Sequence, residues 1–203
     1  ILAVVFPELA LVIADPPSLA RWCAMIERVT PTLRLAALVW PLREWLQGAG
    51  AEVAALPRAL GELLDERLKL SASERQLLVS VLTMPLLRAE LVPHLTGPAL
   101  RRFLAESSQL VLDAVLALQL ASAESCEDVP LADGLRTLAA KIHAERAHHP
   151  PLSTADLAIG GKELIVSLGL SPGPLVGDLL RELLAVALDD PTVNTREKLI
   201  ELA

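Results

Sequence analysis

The 203-residue sequence has no tyrosine, and three Trp and two Phe bring its aromatic content to only 2%. Hydrophobic residues still make up 53% and the mean hydropathy is +0.48, so a sizeable core must be built from Leu, Ala and Val. Helices packed through small side chains suit that composition, and a sheet does not. Cysteine is scarce as well. Cys23 and Cys126 stand far apart without neighbouring ligand residues. They read as free thiols in a reducing compartment, for which the cytosol is the default. Long apolar runs are missing, because a charge or a proline interrupts each one before the roughly 20 residues that a membrane span needs. The nearest, ILAVVFPELALVIA at the start, is broken by Pro7 and Glu8, is followed by Asp15, and lacks the basic n-region of a signal peptide. Positive charge is short too: the net charge is −7, and from residue 129 onward seven Lys/Arg face ten Asp/Glu. That balance argues against a nonspecific nucleic-acid binder with a basic surface, so any nucleic-acid contact must rest on a few placed groups. The chain opens on Ile1 rather than Met, as the rear part of a longer protein would.

What is present is a series of helices with clear punctuation. PSLARWCAMIERV (17–29) follows Asp15-Pro16, and Thr30-Pro31 has the form of an N-cap with proline at the first helical position. TLRLAALVWPLREWLQ should be kinked or split by Pro41 and ended by Gly48 and Gly50; Pro57 and Gly61 divide the stretch 51–66. Ser71 and Glu74 fit a capping box that opens a helix through about residue 91. Gly97-Pro98 starts a long helix in which Leu100, Phe103, Leu104, Leu110 and Val111 share one face. The polar segment ASAESCEDVP (121–130) is the best boundary, giving a helical neck- and body-like region over 1–125 and a helical tail over 126–203. After it come an amphipathic connector ending at Pro150-Pro151, a pair of helices, and a closing helix for which Asn194 and Glu197 form a second capping box. No segment repeats at a fixed period and none alternates long enough for a strand. The expected fold is all-α.

The stretch GLSPGPLVG (169–177) interrupts this regime with three glycines and two prolines. Gly169 sits where a helix ends and a left-handed residue is wanted. Pro172 and Pro174 fix φ, leaving Gly173 free for positive φ. The next helix then begins near Pro174, with the amides of Leu175, Val176 and Gly177 at its N-terminus. Such an end attracts anions, phosphate foremost, and glycines in a short turn between two helices follow the logic of helix-hairpin-helix modules, which grip a sugar-phosphate backbone without reading bases. The plainer reading is a sharp turn in which Gly177 lets two helices pack closely.

Residues 153–203 resemble the C-terminal tail of bacterial class II tRNA nucleotidyltransferases and their poly(A) polymerase relatives. The matching residues are Gly161-Lys162-Glu163-Leu164, Leu168-Gly169, Pro172-Gly173-Pro174, Gly177, Leu180 and Asn194-Thr195-Arg196-Glu197 before Leu199. Upstream the similarity is looser: FPELA at 6–10 and RLKLSASERQLL at 67–78. The resemblance implies an RNA-binding helical portion whose tail holds tRNA, with Gly169, Gly173, Leu175, Val176 and Gly177 at the corner and Lys162, Arg181, Arg196 and Lys198 as its cations. It also implies a catalytic head that binds Mg2+ and a nucleoside triphosphate. Two departures matter. No Gly-Ser turn followed by an Asp-x-Asp pair occurs in this sequence, so neither catalytic residues nor cofactors are assigned to it. Where fused phosphohydrolase relatives continue with a His-Asp pair, Leu38-Val39-Trp40-Pro41 stands here, which removes the ligands for hydrolysis.

The other conspicuous side chains fit structural roles. His143, Glu145, His148 and His149 read as a solvated helix end rather than a metal site, Arg101-Arg102 as an exposed pair, and Trp22, Trp40 and Trp45 as core or interface anchors. The expected partner is tRNA or another structured RNA, with no membrane and with homo-oligomerisation possible. The alternative is a helical scaffold or oligomerisation domain that has lost RNA binding.

Overall fold

The computed structural model describes residues 16–30, 33–41 and 68–203, with 58, 61, 62, 64 and 66. These residues form α-helices and short 3₁₀ turns, with no strand among them. The all-α expectation is met. FPELA at 6–10, Trp45, Gly48, Gly50 and Pro57 lie outside the described residues.

The helices are α1 (Pro16–Arg28), α2 (Arg34–Val39), α3 (Ala72–Thr83), α4 (Gly97–Glu106), α5 (Gln109–Ser125), α6 (Val129–Ala147), α7 (Gly161–Leu168), α8 (Pro174–Asp189) and α9 (Arg196–Leu202). Proline sets several of their limits. α2 stops at Val39 with Trp40 and Pro41 in a turn, as Pro41 demands. Its start differs from expectation: the residue preceding the helix is Leu33, without a side-chain cap, and its amide donates to Thr30 O at 2.9 Å. α3 opens on the Ser71–Glu74 capping box, with Ser71 N donating to Glu74 Oε2 at 2.9 Å. It ends at Thr83 rather than near 91, because Met84 precedes Pro85 and takes an extended ψ of 132°. The long helix expected from Gly97 breaks at Ser107-Ser108. Ser107 is extended (φ −102°, ψ 134°), and serines, which compete for backbone hydrogen bonds, are at home at helix ends.

The chain forms two compact units. One comprises residues up to Glu90 together with Gln109–Thr137. In it α1 packs on α5 and α2, and α3 packs on α5 and α2. Its core includes Trp22, Met25, Leu78, Leu82, Leu112, Val115 and Leu118. Trp22 and Trp40 are both buried there, and the Trp22 indole N–H donates to Ala37 O at 3.1 Å, so its polar edge is satisfied. The buried Gln119 amide pairs with both backbone groups of Leu87, accepting from its N–H at 2.8 Å and donating to its carbonyl at 3.3 Å. That exchange fixes the extended stretch after α3. The turn between α5 and α6 falls at residues 126–128, and Asp128 receives the Leu131 amide at 3.1 Å as a helix cap.

The other unit comprises Leu91–Ser108 and Leu138–Ala203. Its core gathers Leu157, Ile159, Leu164, Leu183, Ala187 and Leu199, with Leu168, Leu180, Leu184, Val193 and Ile200 around them. α8 packs on α4 and α7, and α7 packs on α9. Six buried aliphatic side chains of this size contribute on the order of 10 kcal/mol of gross burial energy before entropy is counted. This core holds the glycine-proline corner in place.

Candidate nucleic-acid interface

The corner begins where α7 stops. Gly169 adopts φ +65° and ψ 29°, the left-handed conformation that costs glycine least, and Leu170 N–H reaches back to Ile165 O at 3.0 Å. That six-residue closure is the signature of a Schellman ending. Gly173, in contrast, is fully extended (φ 172°, ψ −177°), so the expected positive φ is not used there. The two flanking prolines already direct the chain into α8, which starts at Pro174.

The amides at the start of α8 are less open than the sequence suggested. Val176 N–H donates to Gly173 O at 3.2 Å, and the Val176 side chain is buried. Leu175 and Gly177 are exposed. A Cβ built on Gly177 would meet nothing within 4 Å, so this glycine is not a packing contact and its surface is open to a ligand. The close approach occurs instead at Gly161, whose added Cβ would lie 3.2 Å from Val176 Cγ1 and 3.6 Å from Leu180 Cδ1. Gly161 is what lets α7 sit against α8.

The four expected cations divide three to one. Arg181 is 71% exposed but pairs with Asp178 one turn earlier on α8. Arg196, the first residue of α9, pairs with Glu163 in the first turn of α7. The hydrogen bond to Glu163 raises the pKa of its guanidinium further above its ordinary value. Lys198 Nζ donates to Thr192 O at 3.0 Å. Lys162 is exposed and makes no hydrogen bond or ion pair among the described residues.

The base of this surface is held by groups whose roles differ from expectation. Asn194 does not cap α9. Thr195 does, its hydroxyl accepting from Lys198 N at 3.4 Å. The Asn194 amide accepts from Ala158 N at 2.8 Å and donates to Asp156 O at 3.0 Å, stitching the approach to α7 onto the approach to α9. Asp156 in turn accepts from Ser153 N and Ser153 Oγ, both at 2.8 Å, and the Ser153 hydroxyl is the main cause of its lowered pKa. Arg101 is not an exposed partner of Arg102 but a buried residue. Its Nε donates to Leu188 O at 2.6 Å, its Nη2 to Asp189 O at 2.8 Å, and its Nη1 to Glu145 Oε1 at 2.8 Å. It therefore closes the carbonyl end of α8. Arg102 remains outside, donating to Asp189 Oδ2 at 2.7 Å.

Glu145 is thus committed to Arg101, while His148 and His149 are exposed at the end of α6, where His149 takes φ +48° before Pro150. Among the described residues no three His, Cys, Asp or Glu side chains come together to hold a metal ion. Cys23 and Cys126 are exposed free thiols. No single described helix is long and apolar enough to cross a membrane.

Fold and surface together define a helical domain in which α7 and α8 meet at a glycine-proline corner with basic side chains around it. The family model for tRNA nucleotidyltransferase domain 2 matches residues 99–203, and the chain belongs to that family. Every residue of the corner lies inside the match. No curated protein and no solved structure matches the chain.

Proposed function

We propose that this chain is the RNA-contacting helical portion of a tRNA nucleotidyltransferase, touching the sugar-phosphate backbone of tRNA, or of another structured RNA, at the α7–α8 corner. The observation that carries this reading is the exposed start of α8, with no side chain at Gly177, beside Lys162 on the adjacent helix, which is exposed and pairs with no described residue. Backbone amides at a helix start and a flexible ammonium are both suited to phosphate, and neither reads bases. Chemistry would come from a nucleotidyl-transferring head carrying Mg2+ and the nucleoside triphosphate, and this chain alone would add no nucleotides.

Titration of labelled tRNA at several salt concentrations tests the proposal. Wild type should bind weakly, with affinity falling as salt rises, and Lys162→Glu/Arg181→Glu should weaken binding by roughly tenfold at low salt. Equal binding by both proteins, or binding by neither, would overturn it. The second reading, a helical scaffold or oligomerisation domain without RNA binding, draws on Val166 and Leu175, which are 82% and 56% exposed near the same corner. A concentration-dependent mass in sedimentation, with no tRNA binding, would favour it.

A further inference from the structure

Two of the cations around the corner are held by carboxylates of their own unit. Asp178 lies one turn before Arg181 on α8, and Glu163, in the first turn of α7, reaches across to Arg196 at the start of α9. Neither pair is buried: the side chains are 71% and 51% exposed in the first, and 56% and 38% in the second. Ion pairs this exposed are weak and exchange readily. A phosphate offers a guanidinium the same two-oxygen face that a carboxylate does, so RNA backbone and carboxylate compete for one group.

We propose that Glu163 and Asp178 occupy the positions of phosphate on Arg196 and Arg181, and must be displaced before those arginines can contact RNA. The inference rests on the RNA-contact reading above. It makes the two carboxylates the determinants of affinity and salt dependence at this surface. While the pairs are closed, Lys162 is, among the four described cations at this corner, the one without a partner to give up, and a displaced carboxylate left beside the phosphate adds repulsion. The acidic balance of the chain is then a feature of the interface itself. Glu163 and Asp178 disfavour any polyanion too weakly placed to open the pairs.

The test compares the 203-residue chain with two double variants of equal net charge. Glu163→Gln/Asp178→Asn frees both arginines. Glu182→Gln/Glu201→Gln removes two exposed carboxylates that hold no arginine in the described structure. Binding of labelled tRNA is measured from about 50 to 200 mM salt, where each added phosphate contact steepens the log–log slope by roughly 0.7 to 0.9. The first variant should bind roughly three- to tenfold more tightly at the low end, with a slope steeper by about one to two. The second should gain less and keep the wild-type slope. Equal gains and equal slopes in both variants would overturn the proposal, since net charge alone would then explain them.

Failure of this idea and failure of the RNA reading separate cleanly. If wild type binds and Lys162→Glu weakens it, the RNA reading stands whatever the carboxylate variants do. If only Glu163→Gln/Asp178→Asn binds, the masking is upheld and the RNA reading of the wild-type chain falls. If no protein binds, both fall. Should loss of the Glu163–Arg196 pair loosen α9, as read by circular dichroism, Asp178→Asn alone carries the same expectation at about half the change in slope.

Discussion

Arg101 closes a helix to which it does not belong. The last carbonyls of α8 have no partners within their own helix, and the guanidinium satisfies two of them while its remaining edge meets Glu145. Planarity matters, because three donors must point in three fixed directions, which a single ammonium cannot reproduce. Arg101→Ala should lower stability by about 3 kcal/mol, the cost of leaving a partly buried carboxylate and two carbonyls unpaired. Arg101→Lys should recover less than half of that loss, read as shifts in the urea midpoint. A loss under about 0.5 kcal/mol would mean that water replaces the guanidinium fully. The sequence showed Arg101 as half of an Arg-Arg pair on an amphipathic helix, and nothing local distinguished it from Arg102. Its partners lie 44, 87 and 88 residues away, beyond the reach of any periodicity. Asn194 is ambiguous in the sequence for a similar reason. A cap and a loop-to-loop stitch require the same residue type, and only the position of Ala158 decides between them.

At the scale of elements, the glycine-proline corner contains two glycines with opposite requirements. Gly169 is left-handed (φ +65°) and Gly173 is extended, and neither would place an added Cβ within 4 Å of a neighbour. Space is therefore not the issue at either position, and backbone conformation alone decides. Gly169→Ala should cost about 1 kcal/mol from the left-handed strain. Gly173→Ala should be neutral or slightly stabilising, because it removes freedom from the unfolded chain without straining the folded one. Thermal midpoints of the two variants check this, and equal losses would refute it. Here the sequence was informative where its rule was local. The helices flanking the corner, the Schellman ending at Gly169 and the Ser71–Glu74 box follow from residues within one turn of each other. It misled where two local rules competed. Apolar periodicity ran on through Ser107-Ser108, yet the serines ended the helix, and Gly173 had a freedom that Pro172 and Pro174 made unnecessary.

For the whole molecule, the excess of acid sets how stability responds to pH, through two opposing effects. From pH 7 down to the isoelectric point near 5.1, the charge of −7 is neutralised and self-repulsion declines, which favours the compact state slightly. Against this stand three carboxylates that hold turns and helix starts. Glu74 is lowered in pKa chiefly by the Ser71 hydroxyl, Asp156 by the Ser153 hydroxyl, and Asp190 by the Thr192 hydroxyl. Because each folded pKa lies below its unfolded value, of about 3.9 for Asp and 4.3 for Glu, their contribution is complete above those values. It is lost as the pH falls through the depressed folded values. The urea midpoint should therefore stay level or rise slightly from pH 7 to about 5, then decline below about 4. In Glu74→Gln/Asp156→Asn/Asp190→Asn the neutral plateau should be lower and the acid decline shallower, since the lost interactions no longer depend on protonation. An acid limb parallel to that of the wild type would assign the decline to positive-charge repulsion instead, and would remove these three caps from the account of acid unfolding.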